Sequence, residues 1–205
     1  MIAIIDYDAG NIKSVEKALH FLGEEAVITR DSGILLHADK VILPGVGSFG
    51  DAMSKIRGYG LEKTIQEIVA NSTPFMGICL GLQLLFESSE ESPGVRGLSL
   101  LKGKIVRIPE AQGIKVPHIG WNSLSYPNPG KLFQGIPEDS YVYFVHSYYL
   151  KAEDPTIVTG ATQYSTNIHA AVEKENLFAC QFHPEKSSDI GLKILKNFIE
   201  IGREE

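Results

Sequence analysis

The chain has 205 residues, enough for one sizeable core, and its 43% hydrophobic and 21% charged content is that of an ordinary globular protein. A formal net charge of −6 argues against nucleic acid or an anionic membrane as the principal partner. No apolar stretch approaches the ~20 residues of a membrane span, and two cysteines make no disulfide framework, so a single domain over residues 1–205 in a reducing, cytoplasmic compartment is expected.

Ile2 to Ile5 is an apolar run with no basic residues before it. That predicts a first strand buried on both faces of a parallel sheet, not a signal peptide. After a loop at Asp6 to Gly10, Asn11 is placed to cap a helix. Its apolar positions Ile12, Val15, Ala18, Leu19 and Leu22 recur at helical spacing, and Gly23 stops it. Ala26 to Thr29 and Lys40 to Leu43 read as the second and third strands, with room between them for a turn or two of helix. Asp51 to Asn71 reads as helix interrupted near Gly58 and Gly60, and Pro74 to Ile78 as a fourth strand. Strands alternating with helices predict an open, flavodoxin-like, mostly parallel α/β sheet flanked by helices.

The second half changes character. Glu87 to Gly97 is a polar loop turned at Pro93-Gly94. Strand-like runs follow at Lys104 to Ile108, Tyr141 to Leu150, Thr156 to Ala161, Ile168 to Glu173 and Leu177 to Phe182. Glu173-Lys174-Glu175-Asn176 reads as a hairpin tip that makes the last two runs antiparallel neighbours. A terminal helix begins at Ser188 or Asp189, with Ile190, Ile194, Leu195, Phe198 and Ile199 on one face. The sheet is therefore expected to carry an antiparallel extension.

Chemistry concentrates at Pro74-Phe75-Met76-Gly77-Ile78-Cys79-Leu80-Gly81-Leu82-Gln83. Gly77-x-Cys79-x-Gly81 has the frame of a nucleophile elbow with cysteine in place of serine. A strand turning sharply into a helix crowds both flanking positions, which then need minimal side chains. The cysteine at the corner would project over the helix N-terminus, whose partial positive charge favours thiolate. On this stretch alone, a buried cysteine in an ordinary connection is an equal reading. The loop Pro44-Gly45-Val46-Gly47-Ser48-Phe49-Gly50 matches G-x-G-x-x-G, but the dinucleotide reading fails. The acidic residue expected about 20 positions on falls at Ala70, inside a predicted helix. Two readings remain for this loop: a plain tight turn, or a source of backbone N–H groups beside the elbow. In the second, Val46 or Gly47 would supply half of an oxyanion hole and the N–H of Leu80 the other half.

Of six histidines, His20 and His37 read as surface residues, while His118, His146 and His169 accompany strand-like runs and read as structural. His183 stands apart in Phe182-His183-Pro184-Glu185. Residues i and i+2 of an extended segment project to one side, so Glu185 can lie beside the imidazole. A carboxylate there fixes the tautomer and stabilises imidazolium, while Pro184 restricts the chain. His-x-Glu is poor metal spacing, and no metal or cofactor is expected; Cys180 reads as core. Cys79, His183 and Glu185 together support acyl transfer, including amide hydrolysis.

Gly77-Ile78-Cys79-Leu80-Gly81-Leu82-Gln83 with His183-Pro184-Glu185 resembles the class I (triad) glutamine amidotransferases. Ile5 to Asn11, Leu43 to Phe49, Leu84 to Glu90 and His118-Ile119-Gly120-Trp121-Asn122 resemble, within that class, the glutaminase subunits of imidazole glycerol phosphate synthase. The similarity runs essentially end to end, with Asp8 a minor departure where a small residue is expected. The resemblance implies hydrolysis of L-glutamine through a cysteinyl thioester, with Cys79 as nucleophile, His183 as base and Glu185 as its orienting acid. It also implies an oxyanion strand at Pro44 to Gly47, and places Gln83 and His146-Ser147-Tyr148 near bound glutamine. Asn11, the Trp121 region and Lys186 fall on the implied face for a cyclase subunit, a (β/α)₈ barrel that receives the ammonia in a heterodimer. Without the resemblance, Trp121 reads as core and Lys186 as solvated. Rival readings are the glutaminase of another synthase, such as that of pyridoxal phosphate, another cysteine hydrolase on this framework, or a non-catalytic regulatory subunit. The last would be expected to lose one of Cys79, His183 and Glu185, and all three are present.

Overall fold

A computed structural model describes residues 1–203; the last two residues of the expected domain lie outside the described residues. The first half alternates strand and helix: β1 (Ile2–Ile5), α1 (Ile12–Phe21), β2 (Ala26–Thr29), α2 (Ser32–Leu36), β3 (Lys40–Leu43), α3 (Phe49–Gly58), α4 (Leu61–Ala70), β4 (Phe75–Ile78) and α5 (Leu80–Leu84). Then come β5 (Ser88–Ser89), β6 (Gly103–Arg107), β7 (His118–Ser123), β8 (Tyr141–His146), β9 (Tyr148–Ala152), β10 (Val158–Tyr164), β11 (Thr166–Lys174), β12 (Leu177–Cys180) and α6 (Ser188–Glu200). The main sheet has the order β2-β1-β3-β4-β12-β11-β9-β6-β5, with β10 paired on β11. Strands β2, β1, β3, β4 and β12 are mutually parallel, and β11, β9 and β10 supply the antiparallel extension.

The apolar runs behave as buried strands because helices cover both faces. Successive side chains of a strand alternate faces. Val41, Leu43 and Phe75 accordingly pack with Leu35, Met53, Ile56 and Ile65 of α2, α3 and α4 on one side. Ile42, Met76 and Ile78 pack with Val15, Leu19, Ile194 and Phe198 of α1 and α6 on the other. The helix expected over 51–71 is indeed two, separated at Tyr59-Gly60, where Gly60 takes φ 70°. The hairpin tip is present as well: Lys174 pairs with Leu177, and Glu175 turns the chain at φ 55°.

Four expectations change. The run 141–150 is two strands in two sheets: β8 pairs with β7 in a separate two-stranded sheet, whereas β9 joins the main one, the break falling at Ser147. Strand β7 was not anticipated because its two apolar side chains, Ile119 and Trp121, lie on its exposed face and its inward residues are polar or glycine; it is held by pairing with β8. Asn11 does not cap α1. Its backbone is left-handed at φ 68° and its side chain makes no cap hydrogen bond, because its amide is engaged elsewhere. The short β5 lies inside the expected polar loop, paired with β6. Asp8, the departure noted above, sits at φ 61°, which short polar side chains tolerate. It ties the loop after β1 to Arg30 and to the Tyr59 hydroxyl. Among the described residues, no helix is long and apolar enough to cross a membrane.

Candidate active site

Strand β4 ends at Ile78 and α5 begins at Leu80, so Cys79 alone makes the corner. Its φ of 55° and ψ of −109° lie where a side chain is costly, and the surroundings must hold it there. The Cys79 N–H donates to the Cys180 carbonyl at 2.8 Å, pinning the corner to the end of β12. The flanking glycines are steric requirements. A Cβ on Gly77 would lie 2.6 Å from the Gly81 carbonyl oxygen, and one on Gly81 would lie 1.9 Å from that of Leu43. Both obstacles are backbone. Gly81→Ala should therefore destabilise by at least the roughly 1–3 kcal/mol of ordinary overpacking. A urea midpoint equal to the parent's would contradict this account of the elbow.

His183 follows β12, the strand paired directly with β4, so it lies beside the elbow. Its Nδ1 lies 2.8 Å from Glu185 Oε1, and the two side chains are 1% and 0% exposed. A single 3₁₀ turn, Pro184–Lys186, brings the carboxylate back onto the ring. A carboxylate only accepts, so Nδ1 carries the proton and Nε2 is left for the reaction. That Nε2 is buried and makes no hydrogen bond of ordinary geometry among the described residues, while Cys79 lies near enough to act on it. Burial opposes the charge on His183, but Cys79 and Glu185 outweigh it and raise the pKa to about 9. The site thus favours imidazolium beside the sulfur. The sign follows: protonated His183 stabilises the fold fully below its ordinary 6.5, and the contribution is lost as pH rises through about 9. The stability gap between the parent and His183→Ala should therefore close between about pH 7 and pH 10; a constant gap in urea midpoints would contradict it.

Asn11 explains its missing cap here. Its Nδ2 donates to Glu185 Oε1 at 2.5 Å and lies 3.4 Å from His183 Nδ1, so it steadies the acid. Two further residues border Cys79 without having been anticipated. Gln181 is fully buried and points Nε2 at the Cys79 sulfur, 3.7 Å away. Tyr7 donates its hydroxyl to the Pro44 carbonyl at 2.8 Å, and burial followed by the nearby Cys79 pushes its phenol pKa up. The helix dipole expected to support the thiolate is a lesser contributor, since α5 has only five residues.

The loop after β3 reaches the elbow, as expected for adjacent parallel strands. The Gly45 carbonyl accepts from the Leu80 N–H at 3.2 Å, so this candidate oxyanion donor is engaged by protein. Gly47 has φ 102° with nothing within 4 Å of a Cβ position, and Val46 is exposed. A cavity of about 260 Å³ beside the corner is lined by Gly47, Leu80, Gln83, His146, Ser147 and Tyr148, and closed by Glu91, Pro117 and Val145. Every residue anticipated near glutamine lines it. Gln83 is itself tied down, donating to the Tyr148 carbonyl and to Gln181 Oε1. His20 and His37 are exposed, and Cys180 is fully buried. Trp121 is not core: it is 51% exposed and lies with Ile119 on the outer face of β7, its ring 6.1 Å from that of Tyr143. Lys186 is exposed, next to Glu185.

Over residues 3–201 the chain matches the family model Glutamine amidotransferase class-I. Imidazole glycerol phosphate synthase subunit HisH of Moorella thermoacetica is 52% identical over 202 residues, covering 98% of this chain and 95% of that protein. The subunit of the same name from Methanocaldococcus jannaschii is 48% identical over 201 residues, covering 98% and 100%. Among solved structures, a glutamine amidotransferase superposes at TM-score 0.77 with 20% identity over 98% of each chain. PurLQS from Thermotoga maritima does so at 0.75 with 21% identity, again over 98% of each. The two structural likenesses concern the fold.

Proposed function

The chain belongs to the class-I glutamine amidotransferases and, among them, to the imidazole glycerol phosphate synthase HisH subunits; from that membership we propose how its residues divide the work. The chain is a glutaminase subunit that hydrolyses L-glutamine to glutamate and ammonia for the synthase that makes imidazole glycerol phosphate and AICAR in histidine biosynthesis. One glutaminase domain over residues 1–205 acts in the cytoplasm. It hands ammonia to a cyclase subunit, a (β/α)₈ barrel, with which it forms a heterodimer. Trp121, Asn11 and Lys186 belong to the face that meets the cyclase; the exposed Ile119 and Tyr141 beside Trp121 support that reading.

Glutamine enters the cavity lined by Gln83, His146, Ser147 and Tyr148. The Cys79 thiolate attacks the side-chain carbonyl carbon, and the carbonyl oxygen becomes an oxyanion. Imidazolium His183 gives its Nε2 proton to the departing nitrogen, the C–N bond breaks, and ammonia leaves a thioester on Cys79. Neutral His183 then takes a proton from water, hydroxide adds to the thioester, and the thiolate departs from glutamate. Glu185 holds the ring through Nδ1 and stabilises its positive charge. The observation that carries this reading is the cysteine corner facing a buried His183–Glu185 pair.

The oxyanion needs donors, and the Leu80 N–H is held by the Gly45 carbonyl. The working state turns that peptide away and aims the Val46 or Gly47 N–H, with that of Leu80, at the oxyanion. One such donor is worth about 10²–10³-fold. Glutamine hydrolysis by the isolated chain should therefore rise by at least that order when the cyclase and its ligand are added. The rise should fall chiefly in kcat, since the donor acts on the transition state. Full kcat in the isolated chain, or activation confined to KM, would refute the loop mechanism.

A further inference from the structure

Beyond the triad, a continuous line of hydrogen bonds runs from β7 to the nucleophile. Asn122 Oδ1 accepts from the Ser123 N–H at 2.9 Å, so its amide is oriented with Nδ2 toward the Gln163 carbonyl and His118 Nε2, at 3.1 and 3.4 Å. His118 Nδ1 lies 2.9 Å from His146 Nε2, and His146 Nδ1 lies 2.9 Å from the Tyr148 carbonyl oxygen. That carbonyl also receives Gln83 Nε2 at 3.1 Å. Gln83 Nε2 in turn donates to Gln181 Oε1 at 3.0 Å, which leaves Gln181 Nε2 facing the Cys79 sulfur.

Two features make this line directional. A carbonyl oxygen only accepts, so His146 must carry its proton on Nδ1 and present a lone pair at Nε2. His118 must then donate from Nδ1, which leaves its Nε2 to accept from Asn122. Burial holds both rings neutral, lowering His118 to about 4 and His146 to about 3, so each has a single proton to place. The His118 ring is also clamped, stacked 3.9 Å from Tyr164 and 4.6 Å from Phe144 by centroid distance.

We propose that His118 and His146 are positioning residues: their fixed tautomers hold the Tyr148 carbonyl, which orients Gln83 and hence the Gln181 N–H that supports the Cys79 thiolate. This rests on the reading of Cys79 as nucleophile. Loss of the His118 donor frees His146 to take its other tautomer. A lone pair would then face the Tyr148 carbonyl, and the amide order leading to Cys79 would lapse. The other titratable groups acting on Cys79, namely Tyr7, Cys180 and His183, stay unchanged.

The test uses the full-length protein and reads sulfur ionisation, not turnover. The pH profile of Cys79 alkylation by iodoacetamide, followed by peptide mass spectrometry, gives the midpoint for thiolate formation. His118→Phe keeps the aromatic stack and removes the donor. It should raise the midpoint by roughly half a unit, about a threefold loss of thiolate at fixed lower pH. His118→Asn, whose amide can donate from a similar position, should return it toward the parent value. A folded His118→Phe variant with the parent midpoint, or equal shifts in both variants, overturns the proposal. Should the phenylalanine variant fail to fold, nitrogen-15 NMR of the unaltered protein decides: both rings must be Nδ1–H, and an Nε2–H form of either overturns it. An unreactive Cys79 thiol at every pH would overturn the nucleophile reading instead, so the two failures are distinct.

Discussion

Replacing Cys79 with alanine should reduce glutamine hydrolysis to the uncatalysed background, with no thioester formed, while association with the cyclase persists and the partner still makes product from free ammonia. The substitution is mild for the fold. Alanine keeps the Cβ that the corner already tolerates at φ 55°, and Cys79 is a small side chain at the edge of the core. The other cysteine cannot replace the sulfur, since Cys180 is fully buried in β12 with its pKa pushed up by burial, then by Glu185 and Cys79. The measurement pairs glutamate release from glutamine with ammonia-dependent turnover by the reconstituted complex. Substantial glutaminase activity in the variant would remove Cys79 from the mechanism.

His183→Ala should follow closely, with kcat lower by about 10²–10⁴-fold, the usual contribution of a positioned general acid–base. Glu185→Gln should cost less. Glutamine keeps an oxygen that can accept from His183 Nδ1, and loses only the charge that favours imidazolium. Asn11 sharpens the comparison because it donates to the same Oε1, so the oxygen of the substituted side chain retains two donors to orient it. Single-turnover thioester formation in the complex separates these effects from product release. A larger loss for Glu185→Gln than for His183→Ala would make Glu185 the base.

The parts of the fold that could be read directly were those where one physical demand dominates. Ile2 to Ile5 and Lys40 to Leu43 are wholly apolar because both faces of a parallel strand are covered, and such runs admit few other readings. The elbow was legible because close backbone approach leaves only glycine on either side of Cys79. His183 and Glu185 were legible because the pair is local. What was not legible depends on distant partners. Asn11 has the composition of a helix cap, but Glu185, 174 positions away in sequence, takes its amide. Gln181 looks like an unremarkable polar residue at a strand end until Gln83 and Cys79 converge on it. Strand β7 inverts the usual rhythm, with Ile119 and Trp121 outward and polar or glycine residues inward, and its pairing with β8 holds it as a strand.

The strand order has a consequence for how the protein is made. Strand β4 lies between β3 and β12 in the finished sheet, and β12 pairs with it from Leu177–Phe75 to Cys180–Ile78. During synthesis β4 and its cysteine leave the ribosome about a hundred residues before that neighbour exists. Until then one edge of β4 has unpaired backbone groups, and the Cys79 N–H lacks the Cys180 carbonyl it later donates to. Contacts so far apart in sequence close slowly. The nascent chain therefore carries the proposed nucleophile, Cys79, without its proposed base, His183, and the two meet in the same step that seals the middle of the sheet.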